Sequence, residues 1–524
     1  MLEWLTARIT SRPPRQPQPR TDARPAVSVP TASSVSTNSP RRPVRFPIVH
    51  AKFDSAQTNE ENRRHWASAD GLSPNAAIRP EIRRILRNRA RYEVANNSYA
   101  RGIILTLAND TIGTGPRLQM LLDDPQANRF VEQEFMVWAD AIGLAEKLRT
   151  MRMARGDSGE AFAVFTNNPK LDIPVQLDLR LLEPDQVATP YGGWFDPRFI
   201  DGIVFDNHGN PVEYHVLKSH PGDNDAQMIL PAAFDRVPEV AVIHYFRADR
   251  PGQHRGIPEI TPALPLFAQL RRYTLAVIAA AETAADFAAV LYTDSPANGE
   301  ADAVEPMDIV DLERRMATVL PGGWKLGQVT AEQPATTYGE FKKEILNEIA
   351  RCLNMPFNIA AGNSSGYNYA SGRLDHQTYF KSIRVDQSHI ESVVLDRILT
   401  AWLDEAVLIE GYLPQSLRAL GAVHPHQWFW DGQEHVDPAK EASAQATRLT
   451  NHTTTLADEY ARKGQDWEIQ IRQRAKEVAL MNQLGLNLVA PVPGGTGATT
   501  ATPTAPGATT DDEEELDDQP IGDE

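Results

Sequence analysis

The stretch FKKEILNEIARCLNMPFNIAAGNSSGYNYASGR, residues 341–373, holds three kinds of chain in succession. With Tyr338 just upstream, Phe341, Ile345, Ile349 and Cys352 recur at intervals of three and four. That is the spacing of one helical face, and it predicts a helix over 337–353. Met355-Pro356 ends it, because proline lacks an amide and disfavours helical geometry in the residue before it. The connector 358–372 is rich in Gly, Asn and Ser and contains no Lys, Arg, Asp or Glu. From Arg373 the helical spacing resumes through Leu374, Tyr379, Phe380, Ile383, Ile390, Val394, Ile398, Trp402 and Leu403, with Pro414 beyond its end. A helix of roughly thirty-five residues exceeds the usual range of about 8–20 and suits a large assembly better than a compact enzyme.

Working outward, Pro258, Pro262 and Pro265 crowd the start of another long helical pattern, where unpaired first-turn amides tolerate proline. Leu264, Phe267, Leu270, Leu275 and Ile278 carry it into the Ala-rich run 276–289. Between these two helices lies a mixed module, 293–336, with a short helix expected over 308–318 and a strand and turn over 319–324. Upstream, Ile82, Ile85 and Leu86, then Tyr99, Ile103, Ile104 and Leu107, predict two helices. The second is opened by Asn96-Asn97-Ser98 and stopped at Ile112-Gly113-Thr114-Gly115-Pro116,. A β-rich region is expected at 161–165, at 176–182 with Leu177, Leu179 and Leu181 on one face, and at 242–246. The runs 203–205 and 212–217 flank Asp206-Asn207-His208-Gly209-Asn210-Pro211, a hairpin signal,. Downstream, 438–484 reads as charged helix broken at Gly464. The Pro/Arg/Ser/Thr-rich stretch 12–47, the Gly/Thr/Ala/Pro tract 491–506 and the acidic run 511–518 predict disordered ends,.

The 524 residues suggest two to four structural units,. A net charge of −17 argues against gripping nucleic acid by phosphate neutralisation, yet is compatible with surrounding DNA without holding it,. A single cysteine, Cys352, excludes an intrachain disulfide framework and reads as a small core residue,. The Ala-rich helix carries Glu282 and Asp286, and the first ten residues have no apolar run, so a soluble intracellular protein is expected,.

Catalytic and metal signatures are missing. There is no Gly-x-x-x-x-Gly-Lys-Ser/Thr, no strand-borne Gly-x-Gly-x-x-Gly and no His-Glu-x-x-His,. His424-Pro425-His426 has no third ligand in range,. Gly362-Asn363-Ser364-Ser365-Gly366 lacks the spacing of a nucleophile elbow and reads as a flexible loop,. In Gly156-Asp157-Ser158-Gly159-Glu160, Asp157 and Glu160 could form a carboxylate pair, although acids flanking a turn are commonplace.

In number and order, several segments resemble the portal proteins of the lambda family of tailed bacteriophages. They are Arg91 to Ile103, Gly156 to Glu160, Gly202 to Asp206 with Gly209 to Tyr214, Arg255-Gly256-Ile257-Pro258, Phe341 to Pro356, and Tyr369 to Arg373. The resemblance runs from about Arg89 to Leu484 and leaves out both tails.

It implies an α+β subunit. A disordered arm (1–60) precedes an α/β wing (61–257), a stem helix (258–292), a small α/β clip (293–336) and a second stem helix (337–357). A tunnel loop (358–372), a long wing helix with its adjoining segment (373–432), a helical crown (433–490) and a disordered acidic tail (491–524) complete it. The implied function is a dodecameric ring at one capsid vertex, a channel for packaging and ejection of double-stranded DNA without sequence specificity. The implied partners are the terminase large subunit, the major capsid protein and the head–tail connector, in the virion and, during assembly, in the host cytoplasm. No catalysis, cofactor, metal or membrane is implied. The channel would be lined by Gly362, Asn363, Ser364, Ser365, Gly366, Tyr367, Asn368 and Tyr369. Ala276, Ala280, Ala284, Phe341, Ile345 and Ile349 would pack the stem. The competing readings are another minor capsid or scaffolding protein, and a hydrolase or nuclease built on Asp157 and Glu160.

Overall fold

Proline and asparagine set the helix starts. In the computed structural model α1 (Pro74–Ala77), α2 (Pro80–Asn96) and, further on, Pro125–Ala141 each begin with proline at the first helical turn,. Asn97 ends α2 and caps α3 (Ser98–Ile112), its side chain accepting from the Tyr99 and Ala100 amides,. The structure describes residues 60, 63–189, 198–223, 233–286, 290–293, 324–327, 335–418, 424–432 and 438–486, in two units divided between Gln465 and Asp466. The expected tails and the expected helix over 308–318 lie outside the described residues.

After α3 come β1 (Arg117–Met120), α4 (Pro125–Ala141), α5 (Leu144–Asp157), β2 (Glu160–Asn167) and β3 (Leu177–Leu182). The strands β4 (Phe199–Ile200), β5 (Ile203–Phe205), β6 (Pro211–Leu217) and β7 (Phe234–Pro238) form an antiparallel meander in that order. The turn between β5 and β6 is the expected one, with Asp206 accepting from the His208 and Asn210 amides at 2.8 Å. β8 (Val242–Phe246) returns to pair with β2, whose other neighbour is β3. An isolated bridge pairs Val187, beyond the end of β3, with Val216 on β6, and Phe162, Tyr214, Val216 and Val242 share one core.

Then come α6 (Leu264–Asp286), β9 (Val290–Thr293), β10 (Trp324–Gly327), α7 (Ala335–Cys352), α8 (Phe357–Ala361) and α9 (Tyr369–Ile390). A π-turn, Glu391–Leu395, leads into α10 (Asp396–Leu408). β11 (His426–Phe429) pairs antiparallel with β1, and α11 (Pro438–Thr450) and α12 (Leu456–Ala461) end the first unit. The second unit contains α13 (Trp467–Gln483), capped by Asp466. No described helix is long and apolar enough to cross a membrane.

The expected helix from Arg373 is present and serves two cores. Tyr379 and Ile383 pack with Ile103, Phe267 and Ile349. Ile390, Val394, Ile398 and Trp402 pack with Phe135, Trp138 and the β2–β3 face. Four-residue steps would drift around a regular α-helix; the wider π-turn absorbs that drift and keeps these side chains on one side.

Several boundaries differ from expectation. The first stem segment, 258–292, is helical only over Leu264–Asp286, since Thr261–Ala263 is a 3₁₀ turn and 290–293 is strand. The connector 358–372 is irregular only from Gly362 to Asn368: Pro356 precedes a short helix, and Asn368 caps the long one. The region 438–484 breaks at 451–455 as well as at Gly464, where φ is +67°. In α2 the isoleucines face outward, Ile82 39% and Ile85 47% exposed, while Arg83, Arg87, Ala90 and Glu93 are buried.

Candidate functional site

α6 and α7 form an antiparallel hairpin. Near the β9–β10 end, the Tyr273 ring lies 4.6 Å from Phe341 and 5.8 Å from Tyr338, and the Thr274 and Tyr338 hydroxyls are 3.1 Å apart. At the opposite end the Cys352 thiol donates to the Glu259 carbonyl at 3.2 Å; Cys352 is half-buried and burial pushes its thiol up. β9 and β10 pair antiparallel, Thr293 opposite Trp324 and Val290 opposite Gly327, at the hairpin's closed end.

The six expected stem residues separate. Ile349 is fully buried inside the subunit against Phe267 and Leu270, and Ile345 packs at the edge of that core. Phe341 and Ala276 are exposed and Ala280 half-exposed; the Ala284 side chain lies outside the described ones. Leu275 and Ile278 add exposed apolar surface beside them.

Between α8 and α9 lies the loop Gly362–Asn368. Gly362 adopts φ +62° and closes α8,. The Asn363 carboxamide accepts from the Ser365 amide at 2.9 Å, and that of Asn368 from Ser371 at 2.8 Å. Tyr367 is half-buried, with Gly372 nearby, and the other loop residues are exposed. Tyr369 belongs to the first turn of α9. Just before the loop, the buried Asn358 meets His376 at 3.0 Å.

Two of the segments carrying the family resemblance, Gly156 to Glu160 and Arg255 to Pro258, meet at a buried junction. Gly159, at φ +90°, sits so close to residue 257 that an added Cβ would lie 2.3 Å from the Ile257 carbonyl carbon. A Cβ on Gly256 would lie 2.1 Å from the Gly159 oxygen. The two chains pass backbone to backbone, which only glycine permits.

Beside them Glu160, wholly buried, accepts from Arg255 at 2.7–2.9 Å, from the Gly256 amide at 2.9 Å and from His244 at 3.0 Å. Burial alone would raise the Glu160 carboxyl; Arg255, His244 and Arg83 outweigh it and hold it well below the usual range. His244 stacks between Phe162 and Phe246 at 4.2 and 4.3 Å, and burial lowers its imidazole despite Glu160. Arg255 also donates to the Val187 and Pro184 carbonyls, and Arg83 pairs with Asp201.

A second buried network binds α5 and α9 to the segment before α6. Arg152 and Arg155 each bridge Glu259 and Asp386 at 2.8–2.9 Å, and Arg155 also donates to the Tyr245 hydroxyl at 2.7 Å. Burial opposes charge on Glu259, but Arg152, Arg155 and Arg247 bring its carboxyl down to about 2.

The two carboxylates of the Asp157–Glu160 pair have different partners. Glu160 is consumed by cations, and Asp157, raised by burial, accepts from the Ser158 hydroxyl at 2.7 Å. Glu183, Asp185 and His220 bring their ligand atoms within 4.8 Å of one another, a cluster that no sequence spacing suggests. Arg87 and Arg91 already pair with its carboxylates at 3.0–3.2 Å. His426 lies between the His424 carbonyl at 2.7 Å and Asp396 at 3.1 Å.

The family profile described as "Phage portal protein, lambda family" matches residues 60–387, more than half the chain, from the buried junction through the hairpin and loop into α9. The chain belongs to the lambda family of phage portal proteins. It is 26% identical over 478 residues to the probable portal protein of Halomonas phage phiHAP-1, covering 85% of this chain and 90% of that one. It is 20% identical over 471 residues to portal protein B of Escherichia phage lambda, covering 79% and 87%. Among solved structures it is similar to a chain from the neck of an empty gene transfer agent particle computed with C6 symmetry. There the TM-score is 0.42 and the identity 15%, over 72% of this chain and 92% of that one.

Proposed function

We propose that this portal-family chain forms a closed dodecameric ring at one capsid vertex and is the channel through which double-stranded DNA enters and leaves the head. The observation that carries the reading is the unbroken family match across hairpin, loop and the start of the long helix. In this reading residues 61–257 with 373–432 form the wing, α6 and α7 the stem, 293–336 the clip and 433–490 the crown. The loop Gly362–Asn368, with Tyr369 behind it, lines the narrow part of the channel. Its neutral hydrogen-bonding groups let DNA slide without the phosphate grip that a ring of lysines would impose. The exposed Leu275, Ala276, Ile278 and Phe341 favour contact between neighbouring stems. The wing docks against the major capsid protein.

Energy for packaging comes from the terminase large subunit, because the sequence has no P-loop. The clip is the docking face for terminase and then for the head–tail connector. Assembly takes place in the host cytoplasm and ends in the virion, and the chain catalyses nothing itself. Replacing 293–336 with a short Gly/Ser linker tests this. Terminase binding should be lost while the wing keeps its thermal transition; undiminished binding would contradict the clip assignment.

A further inference from the structure

Two exposed stripes of opposite charge stand on α7 and α9. Glu340, Glu344 and Glu348 recur every four residues on α7 and span about 12 Å,. On α9, Arg373, Lys381 and Arg384 fall within about 80° of arc and span about 16 Å,. None of the six forms an ion pair among the described residues.

Most opposite-sign groups of the two helices have contacts inside the subunit; Asp375 lies on another side of α9 from the basic stripe, and Arg351 lines the groove beside Glu344 and Glu348. Lys342 lies over the Tyr99 and Tyr338 rings at 5.0 and 5.7 Å, and Lys343 over Phe357 at 5.9 Å. Asp386 is taken by Arg152 and Arg155. Arg351, at the end of the acidic stripe, donates to Asn354 at 3.2 Å.

Apolar surface matches the charge. The acidic stripe edges a shallow groove that includes Phe341 and Ile345. The basic stripe runs beside Leu374 and Val385, each 65% exposed. Both helices send their inner faces, Leu346 and Ile349 on one and Tyr379 and Ile383 on the other, into the same core. Their charged faces therefore both point away from that core, where a second molecule can reach them.

We infer that the acidic groove of α7 in one subunit receives the basic ridge of α9 from the next copy of this chain. One subunit presents both halves of such a contact, so it is heterologous and, where its rotation closes, repeats into a ring. The inference rests on the ring reading above and names the surfaces that would make it. Each exposed ion pair is individually weak, so the contact should act mainly through register and the exclusion of wrong pairings.

The test is charge reversal in the full chain, read as particle mass by native mass spectrometry at low micromolar concentration. Arg373→Glu, Lys381→Glu and Arg384→Glu together should lose most of the ring population. So should Glu340→Lys, Glu344→Lys and Glu348→Lys together. The chain carrying all six changes should regain at least half the wild-type ring fraction. The milder pair Lys381→Glu and Glu344→Lys, alone and combined, keeps the test decisive if a triple variant does not fold. Unchanged rings from either half-reversed chain, or no recovery in the combined one, would overturn the inference. So would normal rings that lose only duplex DNA after reversal of the basic stripe, since that stripe would then face the channel. A wild-type chain that makes no ring would instead defeat the reading on which the inference rests.

Discussion

The junction around Glu160 and the loop Gly362–Asn368 use opposite chemistry. In the junction and the second buried network Arg83, Arg255, Glu160 and Glu259 are at most 6% exposed, and each carboxylate accepts several N–H groups. In the loop the residues are mostly exposed, none is charged, and hydrogen bonds stay within a few residues of sequence. The difference teaches that chemistry-bearing residues here build the frame, while the surface proposed for DNA is kept bland. Glu160, half of the carboxylate pair weighed in sequence, is surrounded by three arginines and a histidine.

The comparison can be broken most forcefully at Glu160. Glu160→Gln leaves buried guanidiniums without their carboxylate and should cost about 3–5 kcal/mol, read as the denaturant midpoint of the wing. A loss below about 1 kcal/mol would mean the network does not hold the wing together in the way its geometry implies.

Acid should act next. Glu259 has a folded value of about 2 against 4.5, and Glu160 is also depressed. Their stabilisation is therefore present above about pH 4.5 and is lost as pH falls through the folded values. Glu259 alone contributes on the order of 3 kcal/mol. Unfolding free energy measured from pH 6 down to pH 3 should fall steeply below pH 4.5, and a flat profile would contradict the assignment.

Two glycines sharpen the contrast. Gly159→Ala meets both a positive φ and the Ile257 backbone and should cost roughly 2–4 kcal/mol. Gly366→Ala meets open space and should change stability by less than about 0.5 kcal/mol. Equal costs measured by thermal unfolding would erase the distinction between the regions.

Smallest in stability and largest in function should be Tyr367→Lys. Unfolding should move by less than about 0.5 kcal/mol, while packaged DNA length or retention falls. Normal virion yield with full-length DNA would remove the loop from the mechanism.

Much of the helical frame is legible in sequence because its apolar residues repeat at three and four. Phe341 to Cys352 and Tyr379 to Trp402 both show it, with Pro356 as punctuation. The same proline misleads about the next segment, since it ends one helix and leads into the short helix from Phe357. Sequence pattern assigns no helix to 125–157, although Asp124-Pro125 opens α4 and Val131, Phe135 and Trp138 mark its buried face. In α5 the buried face alternates Leu148 and Met151 with Arg152 and Arg155, so charge interrupts the stripe. α2 inverts the pattern for the same reason, burying arginines and exposing isoleucines. The junction itself joins Arg83, Glu160, Asp201 and Arg255, too far apart in sequence for any local period to reveal. For the proposed site, loop composition marks its position, but Asn358's burial and Tyr369's place in a helical turn depend on the three-dimensional fold.

The most direct test of the central claim is the mass and rotational symmetry of the purified full-length particle, by native mass spectrometry and electron microscopy viewed down its axis. The account predicts a closed ring of twelve subunits with an axial opening wide enough for duplex DNA. A stable monomer, an open filament or a closed particle without an axial opening would contradict it.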